Sequence, residues 1–446
     1  MTSFNTIDKT DAGAITTFAK RLSDKTLRQI CGNEIVNHGY SGKGNFGQIL
    51  EKFYFEYAPN SEAEPDFKEA GLELKTSPLK IMLKTQAFHA KERLVLNIIN
   101  YREIVHQGFN NSSFWKKNAH LLLVFYHPEK DKDIIDYLIK LVEDWRFSTS
   151  DLAIIQKDWE LIKAKVVAGK AHELSEGDTF YLGACTKGGK GGNPRHQPNS
   201  KILAKQRAYS LKRGYVNHIV ASIAGNETAL YGKLIDDSST VQDIATVVIR
   251  KFKQYYGKTT DEIIALLGIS INKNSKSFHA SLTKVILGIE LNKEIAEFEK
   301  AEVTVKTVRL KKNNLPKEDI SFPTFKYKEI IEESWDESRF KEILEHKFLF
   351  VFYQENAEKQ LILKQVKFWN MPYSDIQEVK KLWIETAARI KNGRAADLPK
   401  KSEHSICHVR PHAQNAKDTY ETPQGNHVVK KCFWLNSQYI RDAIYL

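Results

Sequence analysis

Residues 65–76 read PDFKEAGLELKT, and residues 296–307 read AEFEKAEVTVKT. Phe67 and Phe298 coincide, as do Ala70 and Ala301, Lys75 and Lys306, and Thr76 and Thr307. Further pairs keep the same order at nearly the same separation. Lys43–Phe55 matches Lys276–Gly288 in apolar pattern. Tyr101-Arg102-Glu103-Ile104 and then Val124-Phe125-Tyr126 match Tyr327-Lys328-Glu329-Ile330 and then Val351-Phe352-Tyr353. Ala208-Tyr209-Ser210-Leu211, through Tyr215, matches Cys432-Phe433-Trp434-Leu435, through Tyr439. A series of ordered matches at a steady separation means one fold written twice. A chain of 446 residues has room for both copies, each with its own core. The expected division is a first domain over 1–225, a linker region over 226–258 and a second domain over 259–446.

The first copy holds a compact set of charges. Gly71 offers a turn before Leu72-Glu73-Leu74-Lys75-Thr76, which alternates apolar and polar residues as a strand does. Side chains two apart on a strand share a face, so Glu73 and Lys75 point one way and Leu72 and Leu74 pack beneath. If the turn folds Asp66 back over that face, two carboxylates and an ammonium converge. Such carboxylates do not both ionise readily without a cation between them. An all-oxygen set of this kind suits Mg²⁺. Asp66, Glu73 and the Leu74 carbonyl are the expected ligands, with Glu51 completing the shell from the preceding helix. Lys75 would orient or deprotonate a bound water and offset charge developing on a phosphate. In the second copy, Asp66 becomes Glu297, Glu73 becomes Thr304 and Glu51 becomes Lys284, while Lys43 and Lys75 persist as Lys276 and Lys306. The chemistry therefore belongs to the first copy, and phosphate binding remains open to the second.

The formal net charge of +12 favours a polyanionic partner, nucleic acid before membrane. No apolar run approaches the roughly 20 residues that span a bilayer. The N-terminus lacks the apolar core of a signal peptide, so a cytoplasmic protein is expected. The four cysteines, Cys31, Cys185, Cys407 and Cys432, show no CxxC spacing. His404, Cys407, His408 and His412 invite a zinc reading. Strand alternation, however, puts Cys407 and His408 on opposite faces, and no second ligand pair has finger-like spacing. Along the chain, helices are expected within 9–38, at Phe46–Tyr57, at Asp133–Trp145 and at Asp151–Val167. Strands are expected at Leu94–Ile99 and His120–Tyr126. The Gly- and Lys-rich run Gly183–Arg195 lacks the spacing of a phosphate-cradling loop. It reads either as a surface loop or as a basic loop that orders on a phosphate backbone.

The residues Lys43-Gly44-Asn45-Phe46-Gly47-Gln48-Ile49-Leu50-Glu51, with Pro65-Asp66-Phe67 and Gly71–Thr76, resemble the MutH mismatch-repair nicking endonucleases. Over more of its length the chain resembles the Sau-type, GATC-specific type II restriction endonucleases, which are tandems of two MutH-like domains. Lys91–Tyr101, Gly169–Gly177 and Ile406–His412 carry that second resemblance. It implies an α/β (α+β) architecture of two tandem PD-(D/E)-x-K nuclease folds, each a mixed sheet flanked by helices. It implies Mg²⁺-dependent cleavage of double-stranded DNA at 5′-GATC-3′. Glu51, Asp66, Glu73 and Lys75 take the catalytic roles, and the second domain acts as an allosteric DNA-binding effector. The MutH pattern reads its bases with an Arg-Pro pair, kept here as Arg410-Pro411, and Trp434 is a further expected DNA contact. The first copy has Thr186-Lys187 in place of the Arg-Pro pair. Lys187 and the nearby Lys205-Gln206-Arg207 are the candidates to substitute, since Arg bidentate to guanine is the commonest specific contact. Lys43 and Lys276 complete the expected DNA contacts. Two chains meeting on the palindrome, or one chain cutting sequentially, would account for double-strand cleavage. A MutH-like nicking enzyme and a non-catalytic DNA-binding regulator are the competing readings.

Overall fold

The computed structural model describes residues 4–32, 45–57, 64–83, 85–187, 193–235 and 243–446. It divides into two compact units. The first comprises residues 1–174, 178–241 and 296–302; the second comprises 175–177, 242–295 and 303–446. Helices Glu227–Leu230 and Ile244–Lys253 lie in the stretch expected as a linker. Among the described residues, no helix is long and apolar enough to cross a membrane.

The first unit begins with helices α1 (Ala12–Lys20) and α2 (Leu27–Cys31). Asp11 caps α1, and Thr26 caps α2 through a capping box. Helix α3 (Asn45–Ile49) runs into a π-helical turn, Leu50–Tyr54. Its main sheet has β1 (Glu73–Ile81), β2 (Phe88–Ala90), β4 (Leu121–His127) and β5 (Leu138–Trp145), with β3 (Leu94–Ile98) in a second sheet. The main-sheet order is β2-β1-β4-β5, and the β1–β4 pairing is parallel, from Glu73↔Leu121 to Pro78↔Tyr126. Leu121–Phe125 are all buried, as expected of an inner strand covered on both faces.

The segment expected as a helix over Asp133–Trp145 is instead a 3₁₀ turn at Ile134–Asp136 followed by strand β5. Ile134, Leu138, Leu141 and Trp145 do recur at helical spacing. What overrides them is the edge of β4, which β5 covers in register from Leu121↔Trp145 to His127↔Leu138. Tertiary pairing outweighs a local period of this kind.

Helix α4 (Ser113–Asn118), capped by Ser112, precedes β4, and the 19-residue α5 (Thr149–Val167) follows β5. The second sheet joins β3 to β6 (Leu182–Thr186) and β9 (Arg207–Leu211) in the order β3-β9-β6. A hairpin, β7 (Pro194–Gln197) and β8 (Ser200–Lys205), connects β6 to β9. Helix α6 (Arg213–Ile223) packs on the short helix Ala296–Ala301. That approach needs Gly214, because a Cβ there would stand 1.8 Å from the Glu299 carbonyl oxygen. Inside the same unit, Lys300 Nζ pairs with Asp151 at 2.9 Å, and Tyr215 donates its hydroxyl to Asp151 Oδ2 at 2.8 Å.

The second unit repeats the plan. Helix α7 (Phe278–Ile286) stands where α3 and its π turn stand in the first. Strands β10 (Thr304–Leu310) and β12 (Phe348–Glu355) pair in parallel from Thr304↔Phe348, and β13 (Leu361–Trp369) covers β12. Strand β11 (Ile320–Thr324) lies in the second sheet. Helix α8 (Arg339–Leu344) is capped by Ser338, as α4 is by Ser112. The 19-residue α9 (Tyr373–Lys391) parallels α5. Strands β14 (Cys407–Pro411) and β17 (Lys431–Leu435) flank the hairpin β15 (Thr419–Glu421) and β16 (His427–Val429). The repeat extends to irregularities: β4–β5 shifts register at Phe125/Tyr126, and β12–β13 does so at Phe352/Tyr353.

Candidate active site

Gly71 has φ +64°, the left-handed conformation that glycine adopts without strain. The turn it permits pairs Phe67 with Leu72 in both directions, N–H to carbonyl at 2.9 and 3.2 Å. Asp66 is thereby folded back onto β1. Its Oδ2 accepts from the Leu74 N–H at 3.0 Å, and Glu73 Oε2 accepts from the Asp66 N–H at 3.0 Å. Lys75 Nζ donates to Glu73 Oε1 at 2.6 Å. Leu72 and Leu74 point the other way, into the core with Phe67 and Phe46. The structure thus brings together Asp66, Glu73 and Lys75 as strand alternation and the turn predict.

Glu51 arrives from the π turn. Burial raises its carboxyl above the usual range, Glu73 raises it further, and Lys75 and Lys117 partly offset this. π turns are rare and concentrate at functional sites. The corresponding α7 is an ordinary α-helix, and its Lys284 pairs with Glu294 at 2.9 Å. Gly47 lets α3 lie close to β1: a Cβ there would meet Thr76 Oγ1 at 3.3 Å and Glu51 Oε1 at 3.9 Å.

Two participants escape motif reading. Lys117, on α4, is buried, donates to the Glu64 carbonyl at 3.0 Å and stands 3.6 Å from Glu73 Oε2. A signal for it exists in the repeat. Counting from the capping serines, Ser112 and Ser338, Lys117 falls on Ile343, so this lysine disappears together with the carboxylates. The second is Tyr57, whose hydroxyl is buried without a hydrogen-bond partner among the described residues. Burial, then the charges of Asp66, Glu51 and Glu73, hold its phenol far above the usual range.

Asp66 is pushed up to about 7, first by burial and then by the Glu73 charge; Glu51 adds to the rise, and Lys75 and Lys117 oppose it. Among the described residues, no three His, Cys, Asp or Glu side chains stand arranged to hold a metal ion, because Asp66 and Glu73 are turned to backbone N–H groups. The donor set nevertheless fits a hard divalent cation. The Glu73 charge raises both Asp66 and Glu51, which calls for positive charge between them, and the orphaned Tyr57 hydroxyl beside them can bond a water in the cation's shell.

In the second copy, Lys306 at the Lys75 position is held below the usual lysine range by burial, with Nζ 5.9 Å from the Phe322 ring. Glu297, at the Asp66 position, accepts from the Leu234 and Ile235 N–H groups at 2.9–3.0 Å within the first unit. Lys276 is exposed and lines a cleft of about 490 Å³ with His279, Arg309, Lys317 and Asp319. Lys43 lies outside the described residues.

Arg410 is exposed, with its guanidinium 3.8 Å from the Trp434 ring centre and a hydrogen bond to Asp319 at 3.4 Å. Pro411 ends the same strand, exposed. Thr186 and Lys187 are exposed at the end of β6, but they are not the counterparts of Arg410-Pro411. Cys185 pairs with Ala208 as Arg410 pairs with Cys432. Lys187 donates its N–H to the Gln206 carbonyl at 2.8 Å as His412 donates to that of Lys430 at 2.9 Å. The equivalent pair is therefore Cys185-Thr186, one residue earlier. Arg207, expected to face DNA, is buried and donates to the Ala184 carbonyl at 2.6 Å, so it shapes the strand end.

Compared with known proteins, the chain matches the family of the DNA mismatch repair enzyme MutH over residues 55–158 and 287–382, one segment in each copy. It is 34% identical to the type II restriction enzyme Sau3AI of Staphylococcus aureus, across 94% of this chain and 91% of that one. It is 25% identical to the DNA mismatch repair protein MutH of Buchnera aphidicola subsp. Baizongia pistaciae (strain Bp), over 34% of this chain and 70% of that protein.

Proposed function

From the premise that the chain belongs to the family of the type II restriction enzyme Sau3AI, with tandem MutH-like nuclease domains, and is a site-specific deoxyribonuclease, we propose that it cuts double-stranded DNA at 5′-GATC-3′ using Mg²⁺. The single observation that carries the assignment of the site is the clasp in which Glu73 accepts from the Asp66 N–H and Asp66 from the Leu74 N–H, with Lys75 and Lys117 on the Glu73 carboxylate. Asp66, Glu73, the Leu74 carbonyl and Glu51 would hold the ion. When bound, Mg²⁺ supplies positive charge to the scissile phosphate and lowers the pKa of a coordinated water. Lys75, an ammonium anchored on Glu73, orients the attacking water and favours its ionisation through its positive charge. Lys117 offsets negative charge that develops on the phosphate, an interaction stronger in this buried setting than in water. Asp66 must shed its proton before it can serve as a ligand.

The second copy is proposed as a DNA-binding effector. Arg410 stacked on Trp434 and the exposed Lys276 support that role; Lys284 and Thr304 replace two of the carboxylates, and the third, Glu297, is taken up by the Leu234 and Ile235 N–H groups. Double-strand cleavage follows from two chains meeting on the palindrome or from sequential cuts. Plasmid DNA incubated with Mg²⁺ or Ca²⁺, followed by sequencing of the ends, tests the proposal. Double-strand ends at GATC in Mg²⁺ support it. Nicks alone point to a MutH-like nicking enzyme, and gel shifts without cleavage point to a regulator.

A further inference from the structure

The two copies place their arginines differently at the same sheet end. In the second copy the guanidinium is on β14, at Arg410; in the first that position is the buried Cys185. The first copy has its arginine on the hairpin instead. Arg195, exposed on β7, donates to Gln206 Oε1 at 3.2 Å, and Asn193 Nδ2 reaches the same oxygen at 3.5 Å. Gln206 is fixed in the backbone on both sides, donating to the Asn193 carbonyl at 2.9 Å and accepting from Lys187 at 2.8 Å. The second copy keeps that frame: Lys430 donates to Asp418 at 3.1 Å and accepts from His412. By this register Tyr420 and Lys430 replace Arg195 and Gln206, and Lys430 Nζ lies 4.6 Å from the Tyr420 ring centre.

Arg195 and Gln206 open onto a cleft of about 410 Å³ in the first unit, together with Arg102, His196, Asn100 and Tyr101. Among the described residues, no carboxylate lines it. Such a cleft suits the electronegative edge of a nucleic acid.

We propose that Arg195 and Gln206 are the base-reading pair of the catalytic domain, contacting adjacent guanine and adenine on one strand from the major groove. An Arg guanidinium matches guanine O6 and N7 with two parallel hydrogen bonds, and a glutamine amide matches adenine N7 and N6. Gln206 Oε1 accepts from Arg195 at 3.2 Å, and its long 3.5 Å contact from Asn193 gives way to the adenine amino group. The Arg195–Gln206 bond sets the two readers side by side, as a 5′-GA-3′ step requires. This rests on the GATC reading above.

The test is cleavage of a DNA pool holding GATC and all its single-base variants by the full-length wild type, Arg195→Lys, Arg195→Ala and Gln206→Ala. Discrimination at the guanine position should fall roughly tenfold to a hundredfold in both Arg195 variants, and at the adenine position in Gln206→Ala. Arg195→Lys keeps its charge, so the salt dependence of its nonspecific binding in Ca²⁺ should match the wild type, which also reports folding. A wild-type profile other than GATC overturns the reading beneath the proposal. A GATC wild-type profile with variants that slow all sequences equally, or change nothing, overturns the pair alone.

Discussion

Lys117 Nζ stands 3.6 Å from Oε2 of Glu73, while the other oxygen of that carboxylate is held by Lys75 at 2.6 Å. One buried glutamate therefore organises two ammonium groups from different elements, the strand β1 and the helix α4. The second copy keeps the first lysine, as Lys306, and has Ile343 in place of the second. That Lys117 is lost together with Glu51 and Glu73 supports the proposal that it takes part in the chemistry. Replacing Lys117 with Met, which preserves the buried stem, should lower kcat roughly 10²- to 10³-fold and leave DNA binding in Ca²⁺ nearly unchanged. Cleavage within a few-fold of wild type would remove Lys117 from the site.

Glu73→Gln separates charge from hydrogen bonding. The amide oxygen can still accept from the Asp66 N–H, so the turn keeps its clasp. The charge that anchors Lys75, and that is proposed to bind the cation, is gone. Single-turnover cleavage should drop by at least about a thousandfold, with DNA affinity equal or tighter because a negative charge has left the phosphate path. Near-wild-type cleavage would refute the assignment of Glu73.

The parts of this molecule that sequence discloses are those governed by period and repetition. Leu72 and Leu74 beneath Glu73 and Lys75 follow from strand alternation, and the second copy separates Phe67 and Ala70, which serve the fold, from Asp66 and Glu73. Lys117 was invisible to motif reading because α4 packing, not chain spacing, delivers it. The helical reading of Asp133–Trp145 failed because its apolar residues satisfy two periods, and only the open edge of β4 decides between them. Thr186, the expected counterpart of Arg410, is one residue off: the hydrogen-bond ladder places that counterpart at Cys185, because glycine-rich sequence fixes no register. Arg207 read as a surface charge, yet the Ala184 carbonyl draws it inside.

Asp66 makes metal binding and stability depend on pH together. Its folded pKa, about 7, lies above its ordinary 3.8. Its contribution to metal-free stability is therefore complete below about pH 4 and is lost as pH rises through about 7, roughly 2–4 kcal/mol in all. Added Mg²⁺ should raise the thermal midpoint more at pH 8 than at pH 5, because only the ionised site takes the cation. Asp66→Asn should remove most of that difference. Equal Mg²⁺ shifts at both pH values, measured by circular dichroism, would contradict the coupling.

Within the first unit, Lys300 and Asp151 form a buried ion pair on which Tyr215 also depends. Lys300→Met leaves Asp151 charged and enclosed, and should destabilise the unit by roughly 3–5 kcal/mol. Adding Asp151→Asn to that variant should recover much of the loss, because Asp151 then carries no charge and Glu297 keeps its Leu234 and Ile235 N–H partners. Denaturant unfolding of the single and double variants measures both. A mild single variant, or a double variant worse than the single, would show that solvent reaches the pair.

Arg410 offers the means to separate the two copies in function. Its guanidinium is held against Trp434 and by Asp319, pre-set for an edge-on contact. Truncation to Ala leaves every group of the catalytic cluster in place. DNA with one GATC site should then be cut at the wild-type rate, while the extra rate on DNA with two sites should shrink roughly tenfold, the weight of one bidentate base contact. The comparison of one-site and two-site substrates decides it. An unchanged two-site advantage in Arg410→Ala would show that the second copy does not act through this arginine.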